Sequence, residues 1–176
     1  VRIRLLNYSA PQAVKALENN IIDFAIVSTP VLVHKHMHQE KLVSYDEILL
    51  GGTKYKQFAQ QVHYLEDISE MPLIGLCEGS STHTHYSRFF MEHDLPFEPD
   101  MEAAMTDQVL PMITHNLGIG FYPKSLALEA IEKELVFPIE LTEPLPNRDV
   151  VVITNNHTPI NSAARRFLEF LLENRK

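Results

Sequence analysis

Small hydroxyl side chains and glycines stand together at two points of this sequence. Residues 78–82 read EGSST, directly after an apolar stretch and directly before a helical one, and Ser28 and Thr29 also follow an apolar stretch. Backbone N–H groups at the start of a helix, with hydroxyls beside them, can hydrogen-bond a carboxylate or another anion. These residues therefore predict non-covalent binding of a small polar or anionic molecule. Simple helix capping by the same hydroxyls is the alternative for EGSST.

A second pattern covers Asp107 to Pro123, DQVLPMITHNLGIGFYP. Apolar residues of its first part recur mostly at spacings of three and four, which predicts one buried helix face of Val109, Leu110, Met112, Ile113 and Leu117. Gly118 is expected to end the helix, and Ile119 to Tyr122 is apolar enough for a buried strand. Such a junction can line the ligand crevice of an open α/β sheet, or it can be a plain connection.

Histidines are the other candidate ligands, and the chain contains nine. His34, His36 and His38 alternate, and His83 and His85 repeat that spacing. Alternating imidazoles on a strand would share one face and suit a divalent metal. No cysteine joins them, however, and the setting favours a solvated loop. A further histidine, at 115, is expected at the surface of its helix, and no cofactor is predicted.

Catalysis has one candidate pair, Ser80 or Ser81 with His83 or His85. The sequence GSS is not the glycine-flanked nucleophile elbow of hydrolases, and nothing identifies an acid that would orient the histidine. The sequence therefore predicts a binding protein rather than an enzyme.

Composition limits the remaining functions. A formal net charge of −8 without a basic patch argues against nucleic-acid binding by these 176 residues themselves. The single cysteine, Cys77, has apolar neighbours and is expected to be a buried structural thiol. The chain shows neither an apolar run of about eighteen residues nor the apolar core of a signal peptide, so we expect a cytoplasmic protein.

The elements that must position these residues alternate between strand and helix. Val1–Leu6 is a predicted strand, Ala10–Asn19 a helix capped by Ser9, and Ile22–Val27 a second strand, which together predict a right-handed crossover with a parallel pair. Further strands are predicted over Leu42–Leu50, Leu73–Leu76, Leu135–Leu141 and Asp149–Thr154, and further helices over Ser81–His93, Leu126–Glu134 and Ser162–Asn174, the last burying Ala163, Phe167, Phe170 and Leu171.

The alternation of predicted strands and helices starts again after Gly51 and Gly52, which predicts two α/β lobes. Residues 1–47 plus 150–176 would form the first lobe, and residues 48–149 the second. The chain would cross between them near Glu47–Leu50 and Val150–Ile153, which predicts a hinge. A cleft between two such lobes suits a small polar ligand.

Five segments carry a family resemblance: IDFAIV at 22–27, YLEDISEMPLIGL at 64–76, EGSST at 78–82 leading to RFF at 88–90, LPMITHNLGIGFYP at 110–123 and PLPNRDVVVIT at 144–154. In this order and spacing they resemble the effector-binding domain of LysR-type transcriptional regulators over almost the whole chain. The resemblance implies a fold similar to type II periplasmic binding proteins, with two α/β lobes, two crossing hinge strands and a small-molecule effector in the cleft.

The resemblance also implies partners outside this chain. DNA would be bound by an N-terminal winged helix-turn-helix domain, absent here, and the full-length protein would be a homodimer or tetramer. The family usually places another strand and helix before the segment that matches Val1, so the first lobe is expected to be incomplete. A solute-binding protein of a transporter, which shares the fold, is the alternative function.

Residue by residue, the resemblance implies ten effector contacts, most of them hydroxyls or glycine backbone amides. They are Ser28, Thr29, Gly79, Ser80, Ser81, Thr82, Thr106, Asp107, Gly118 and Tyr122. Hydroxyls and backbone amides of this kind would fix an anionic group by hydrogen bonds, with the helix dipole at Ser81 adding to the attraction.

Overall fold

A computed structural model describes residues 3–175 of the chain. The described residues fall into two compact units, one running up to Ser44 and resuming at Arg148, the other from Tyr45 to Asn147. Both units mix helices and strands, which confirms the α/β class. None of the described helices combines the length and apolar character needed to cross a bilayer.

The elements are, in chain order, α1 (Ala10–Glu18), β1 (Ala25–Ser28), β2 (Met37–Tyr45), β3 (Glu47–Gly52), β4 (Val62–His63), α2 (Leu65–Ser69), β5 (Leu73–Leu76), α3 (Ser81–Met91), β6 (Met101–Ala103), α4 (Thr106–Thr114), β7 (Ile119–Pro123), α5 (Lys124–Glu132), β8 (Val136–Leu141), β9 (Arg148–Asn155) and α6 (Ser162–Glu173).

The first unit is built on a three-stranded sheet in the order β1-β9-β2. β1 runs antiparallel to β9, with Ala25 opposite Ile153. At the start of α1 the carboxamide of Gln12 accepts a hydrogen bond from the backbone N–H of Ser9 at 3.0 Å, which satisfies a donor that the helix leaves unpaired. The core between α1 and the sheet consists of Ala13, Val14, Leu17, Ala25, Val27, Met37, Val151 and Ile153.

The second unit is a six-stranded sheet in the order β4-β8-β3-β7-β5-β6, covered on both faces. Neighbouring strand residues point to opposite faces, so Leu49 and Phe121 join one core while Leu50 and Tyr122 join the other. The first core also holds residues of α2 and α3, and the second holds residues of α4 and α5. The two helix layers therefore bury a sheet that is apolar on both sides.

Helix α3 is held to its face of the sheet by aromatic side chains. Phe90 is fully buried, and the ring of Tyr86 stacks on that of Phe121 with centroids 4.3 Å apart. The hydroxyl of Tyr86 donates a hydrogen bond to the buried carboxylate of Glu47 in β3. A buried carboxylate requires such a partner, because desolvation without one is costly. The position of α3 is thus fixed by packing and by a polar contact.

The order of β5, β6 and β7 makes the chain reverse direction across the sheet. β5 pairs in parallel with β6 on one side and with β7 on the other. The connection from β5 to β6 is α3, and the connection from β6 back past β5 to β7 is α4, on the opposite face. The carboxyl end of β5 is therefore a topological switch point, where adjacent crossovers diverge and leave a crevice.

The predicted opening strand is wrong. Val1 and Arg2 lie outside the described residues, and residues 3–6 form no strand. Ile3 and Leu5 alternate as a strand would, but they are 79% and 94% exposed, because no strand of the described chain runs beside them to accept their hydrogen bonds. The expected parallel pair is wrong for the same reason, since β1 pairs with β9 in the antiparallel sense.

Two predicted boundaries also differ from the structure. The extended run from Leu42 to Leu50 is two strands that belong to different sheets, with a break at Asp46. Helix α4 ends at Thr114, so Leu117 lies beyond it and is half exposed rather than in the core. Asn116, at φ +60, turns the chain between them, and a left-handed backbone there stops a helix as glycine would.

The predicted buried face of α6 is wrong as well. Leu168 is the buried residue of this helix, whereas Ala163, Phe167 and Phe170 are exposed and Leu171 is partly buried. Phe167 contacts the ring of Phe24 with centroids 5.9 Å apart, at the margin of the first unit. Periodicity identified the amphipathic helix but not which part of its apolar side meets the sheet.

We predict that Gly118→Ala lowers the free energy of unfolding by about 1–3 kcal/mol, the usual cost of overpacking. A Cβ at Gly118 would lie 2.4 Å from the carbonyl oxygen of Pro72, which accepts the hydrogen bond that starts the β5–β7 pairing. The measurement is urea denaturation. The matched control is Gly79→Ala, where a Cβ meets nothing within 4 Å but the φ of +83 adds about 1 kcal/mol of strain. An unchanged midpoint for Gly118→Ala would contradict the packing described.

Candidate functional site

The candidate site lies where β5, β6 and β7 end. Leu76 pairs with Ala103, and the N–H of Cys77 donates to the Ala103 carbonyl at 3.0 Å, so β5 and β6 end level with each other. The loop after β5 leads into α3, and the loop after β6 leads into α4. Tyr122 lies near the carboxyl end of β7, the other neighbour of β5. Three strand ends and two helix N-termini thus share one edge of the sheet.

The first residues of α3 are arranged for hydrogen bonding to an anion. Gly79 adopts φ +83, which lets the loop turn sharply. Ser80 is the N-cap, and its hydroxyl accepts from the backbone N–H of His83 at 3.0 Å. The hydroxyl hydrogen of Ser80 remains available to donate, and Ser81, in the first turn, adds a further N–H group and hydroxyl. Capping and anion binding are compatible at this helix.

The start of α4 is fixed by a side chain from within the helix. The Gln108 carboxamide oxygen accepts from the backbone N–H groups of Ala104 at 2.9 Å and Met105 at 3.1 Å. Thr106 and Asp107 occupy the first two helical positions that follow. The carboxylate of Asp107 is exposed, and the dipole of the helix favours a negative charge there. This edge of the sheet therefore carries a negative charge as well as hydrogen-bond donors.

Tyr122 connects this edge to the core. Its side chain is only 6% exposed and belongs to the cluster that contains Leu76 and Val109. Burial, and secondly the nearby Asp107 carboxylate, raise the pKa of the Tyr122 phenol above its ordinary value. The phenol therefore stays protonated well above neutral pH and can both donate and accept a hydrogen bond.

Comparison with known proteins decides which family has this arrangement. The family model of the LysR substrate binding domain matches residues 1–176, the whole chain. The chain belongs to this family. The resemblance read from the sequence is thereby confirmed.

Solved structures of regulatory domains match the LysR domain described here. The CcmR regulatory domain of Synechocystis PCC6803, in complex with 2-PG, superposes with a TM-score of 0.82 at 15% identity, covering 96% of this chain and 80% of that chain. The effector binding domain of QuiR, in complex with shikimate, gives 0.82 at 16% identity, covering 96% and 78%. The regulatory domain of CrgA, a LysR-type transcriptional regulator from Neisseria meningitidis, gives 0.71 at 17%, covering 92% and 79%. These similarities establish the two-lobed fold. Comparison with curated proteins found no match.

Ser28 and Thr29 lie in the other unit of the LysR domain. Thr29 continues the pairing of β1 with β9: its N–H donates to the Asp149 carbonyl at 2.9 Å, and its hydroxyl accepts from the Asp149 N–H at 3.0 Å. The Thr29 carbonyl accepts from Arg148 Nε at 2.7 Å. Most of the polar groups of Thr29 are therefore engaged within its own unit, and effector contacts by Ser28 and Thr29 stay a prediction.

Gly118 does not lie with the other predicted contacts of the second unit. It precedes β7, whereas Tyr122 is near the other end of that strand. Its missing side chain allows the backbone to approach Pro72, as the 2.4 Å spacing of a built Cβ shows. We therefore assign Gly118 a packing role in the LysR domain.

Gln108 was not predicted from the sequence as a residue of the site, although a glutamine three residues after the N-cap Met105 has the spacing of a capping box.

The histidines at positions 34, 36 and 157 stack ring against ring and do not surround a common metal position. His34 stacks on His36 with centroids 5.6 Å apart and planes at 6°, and His36 stacks on His157 at 4.8 Å. His38 instead lies in β2, 3.9 Å from a Glu40 oxygen. Within residues 3–175 no group of three potential ligands is placed to hold a metal ion.

Of the candidate catalytic pairs, Ser80 with the ring of His83 is not assembled. The ring nitrogen Nδ1 of His83 lies 3.2 Å from the hydroxyl of Ser87, whereas Ser80 contacts the backbone of His83 and not its ring.

Cys77, expected to be buried, is partly exposed in the loop after β5. His115 is exposed, as predicted, with Nδ1 2.8 Å from the Pro111 carbonyl oxygen.

We predict that Ser80→Ala destabilises the LysR domain by about 1 kcal/mol, the typical contribution of an N-cap side chain. The loss follows because the N–H of His83 would have no side-chain acceptor. Thermal or urea unfolding measures it. Ser80→Asn keeps an acceptor and should remain close to the parent protein; equal losses in both variants would show that the cap is not the cause.

A second prediction concerns alkaline pH. Because the pKa of Tyr122 is raised in the folded state, folding holds its proton more tightly, so this stabilisation is complete below about pH 10, the ordinary tyrosine value, and is lost as the pH rises through the folded pKa. As the pH rises through this range, the free energy of unfolding of Tyr122→Phe should therefore fall less than that of the parent protein.

Ultraviolet absorbance of phenolate gives the site-specific measurement, as the difference between the parent and Tyr122→Phe. Asp107→Asn removes the second cause of the shift and should lower the pKa of Tyr122, which burial still keeps raised. An unchanged titration in Asp107→Asn would show that the two groups do not interact.

Proposed function

We propose that this chain is the ligand-sensing domain of a LysR-type transcriptional regulator and that it binds a small anionic metabolite at the carboxyl end of β5. The observation that carries the proposal is the switch point itself, at which the N-terminus of α3, with Ser80 as its cap, opens beside the end of β6. Ligands of open α/β sheets bind at such points. The two compact units are the two lobes of this domain.

The character of the ligand follows from the groups at the site. Ser80, Ser81 and Thr106 offer hydroxyls, and the first turns of α3 and α4 offer backbone N–H groups. Such groups stabilise a negative charge without a fixed cation. The CcmR and QuiR domains, described in complex with 2-PG and with shikimate, support the same class of ligand for this fold.

Sensing requires that the ligand bind one arrangement of the regulator better than another. The arrangement would be read out by a winged helix-turn-helix domain in a homodimer or tetramer, located in the cytoplasm. The role is non-enzymatic in this proposal: Ser80 contacts the backbone N–H of His83, and the serine beside the His83 ring is Ser87, within α3. A solute-binding protein of a transporter is the second candidate. The upstream coding sequence discriminates the two: a winged helix supports the regulator, and a lipoprotein signal supports the solute-binding protein.

The test is a thermal-shift screen of organic acids, phosphorylated acids and amino acids against the full chain, followed by titration of the strongest binder. We predict that Ser80→Asp weakens binding at least about tenfold relative to Ser80→Asn, a difference of about 1.4 kcal/mol. Both residues are good N-caps, so α3 keeps its start, but aspartate places a negative charge where the anion would sit.

Thr106→Ala is the companion variant at α4, and it should weaken binding to a smaller degree because one hydrogen bond is lost. Equal affinity in Ser80→Asp and Ser80→Asn would contradict the proposed position of the anion. If none of these variants changes the affinity, the ligand does not bind at this edge of the sheet.

A further inference from the structure

The second unit buries one carboxylate at the edge of the sheet that carries the candidate site. Among the described residues of this unit, Glu47 is the one buried residue with a charged side chain, at 7% exposed. Glu47 begins β3 and stands opposite Pro123, the last residue of β7, so it lies at the edge where the parallel strands end. Alternation along β3 places its side chain on the same face as Leu49, which is the face that α3 covers.

Apolar packing does not require this carboxylate. Desolvating a charge is costly, and replacing a buried ionic group by apolar residues is often neutral or stabilising. The following positions of β3 are apolar, and Leu49 and Leu50 are 1% and 0% exposed. A buried charge at the start of such a strand therefore points to a role other than stability. The hydroxyl of Tyr86 in α3 donates a hydrogen bond to it.

Tyr86 is the buried side chain of α3 that lies nearest to the N-terminus of the helix. The buried residues of α3 are Tyr86, Phe89 and Phe90, from its middle onward, whereas Ser81 in the first turn is only partly buried. Tyr86 follows the N-cap Ser80 by six residues, which is roughly 9 Å along a helix axis. Of the buried anchors of α3, Tyr86 is thus the closest to the hydrogen-bond donors at its start.

The two contacts of Tyr86 constrain α3 in different ways. Its ring stacks on that of Phe121, with centroids 4.3 Å apart and planes at 16°. Stacked rings can slide along each other at little cost, because apolar attraction has no preferred direction. A hydrogen bond weakens steeply when its angle departs from linearity, so the bond to Glu47 resists that sliding.

We propose that Glu47 and Tyr86 are positioning residues of the ligand site, and that their hydrogen bond sets where the start of α3 lies against the strand ends. This proposal rests on the proposed function and adds to it two buried residues that act without contacting the ligand. A displacement of the donors by a fraction of an ångström lengthens their hydrogen bonds to an anion. Binding then weakens although α3 remains folded.

The test compares two variants that each remove one buried hydroxyl from the same core cluster. Tyr86→Phe removes the donor to Glu47 and keeps the ring that stacks on Phe121. Tyr55→Phe is the matched control, because Tyr55 is 4% exposed and its hydroxyl has no hydrogen-bond partner among the described residues. Inorganic phosphate and acetate are the probes, titrated against the full chain while backbone amide NMR follows Ser81.

We expect Tyr86→Phe to weaken binding of the tighter probe at least about fivefold, and Tyr55→Phe to stay within about twofold of the parent protein. Glu47→Gln keeps an oxygen acceptor for Tyr86 and removes a negative charge, so it should bind the probe at least as tightly as the parent. Residual dipolar couplings should show α3 turned relative to β5 in Tyr86→Phe and not in Tyr55→Phe, a change that lost stability alone would not produce.

Two results would overturn this proposal and leave the proposed function intact. One is equal affinity in Tyr86→Phe and Tyr55→Phe, and the other is a loss in Glu47→Gln as large as that in Tyr86→Phe. If neither anion shifts the amide signal of Ser81 in the parent protein, the proposed function and this proposal are both overturned.

Discussion

The reversal of the chain over β5 is the constraint on which the rest of this domain depends. Because β6 and β7 flank β5 and all three run parallel, the connection through α4 must return across β5 on the face opposite to α3. Two helices therefore begin at the same edge of the sheet but on different faces. This geometry, more than any single residue, places the hydrogen-bond donors of two helix N-termini at one edge of the sheet.

Close packing at the far ends of the helices keeps that edge in place. A Cβ at Gly52 would lie 2.3 Å from the Ile113 carbonyl oxygen and 2.5 Å from Asn116 Oδ1, so the end of α4 rests directly on the backbone of β3. Helix α3 is fixed through Tyr86, which stacks on the sheet and donates to Glu47. Rigid supports of this kind let a site made of short side chains keep its geometry.

In both units the sequence predicted the long helices and most buried strands, but it failed for the opening segment and for the short elements β4, α2 and β6, for a physical reason. Buried strands such as β5 and β7 read as continuous apolar runs, and the EGSST segment marks the start of α3 by its composition. Residues 3–6 have an equally good pattern, but a strand exists only where a neighbour accepts its hydrogen bonds, and a pattern cannot show a neighbour. The separation of Gly118 from Tyr122, and the effect of the Asp107 charge on the pKa of Tyr122, likewise depend on tertiary placement that spacing does not encode.

The most direct test of the central claim, that ligand binds at the carboxyl end of β5, is a backbone amide NMR titration of the labelled chain with the strongest acid of the screen. The amides of Ser81 and Thr82 at α3, and of Thr106 and Asp107 at α4, should show the largest changes, because they lie in the helix first turns at the proposed ligand position. Changes concentrated at the opposite end of the strands, around Gly118, or on α6, with those four amides unaffected, would contradict the account.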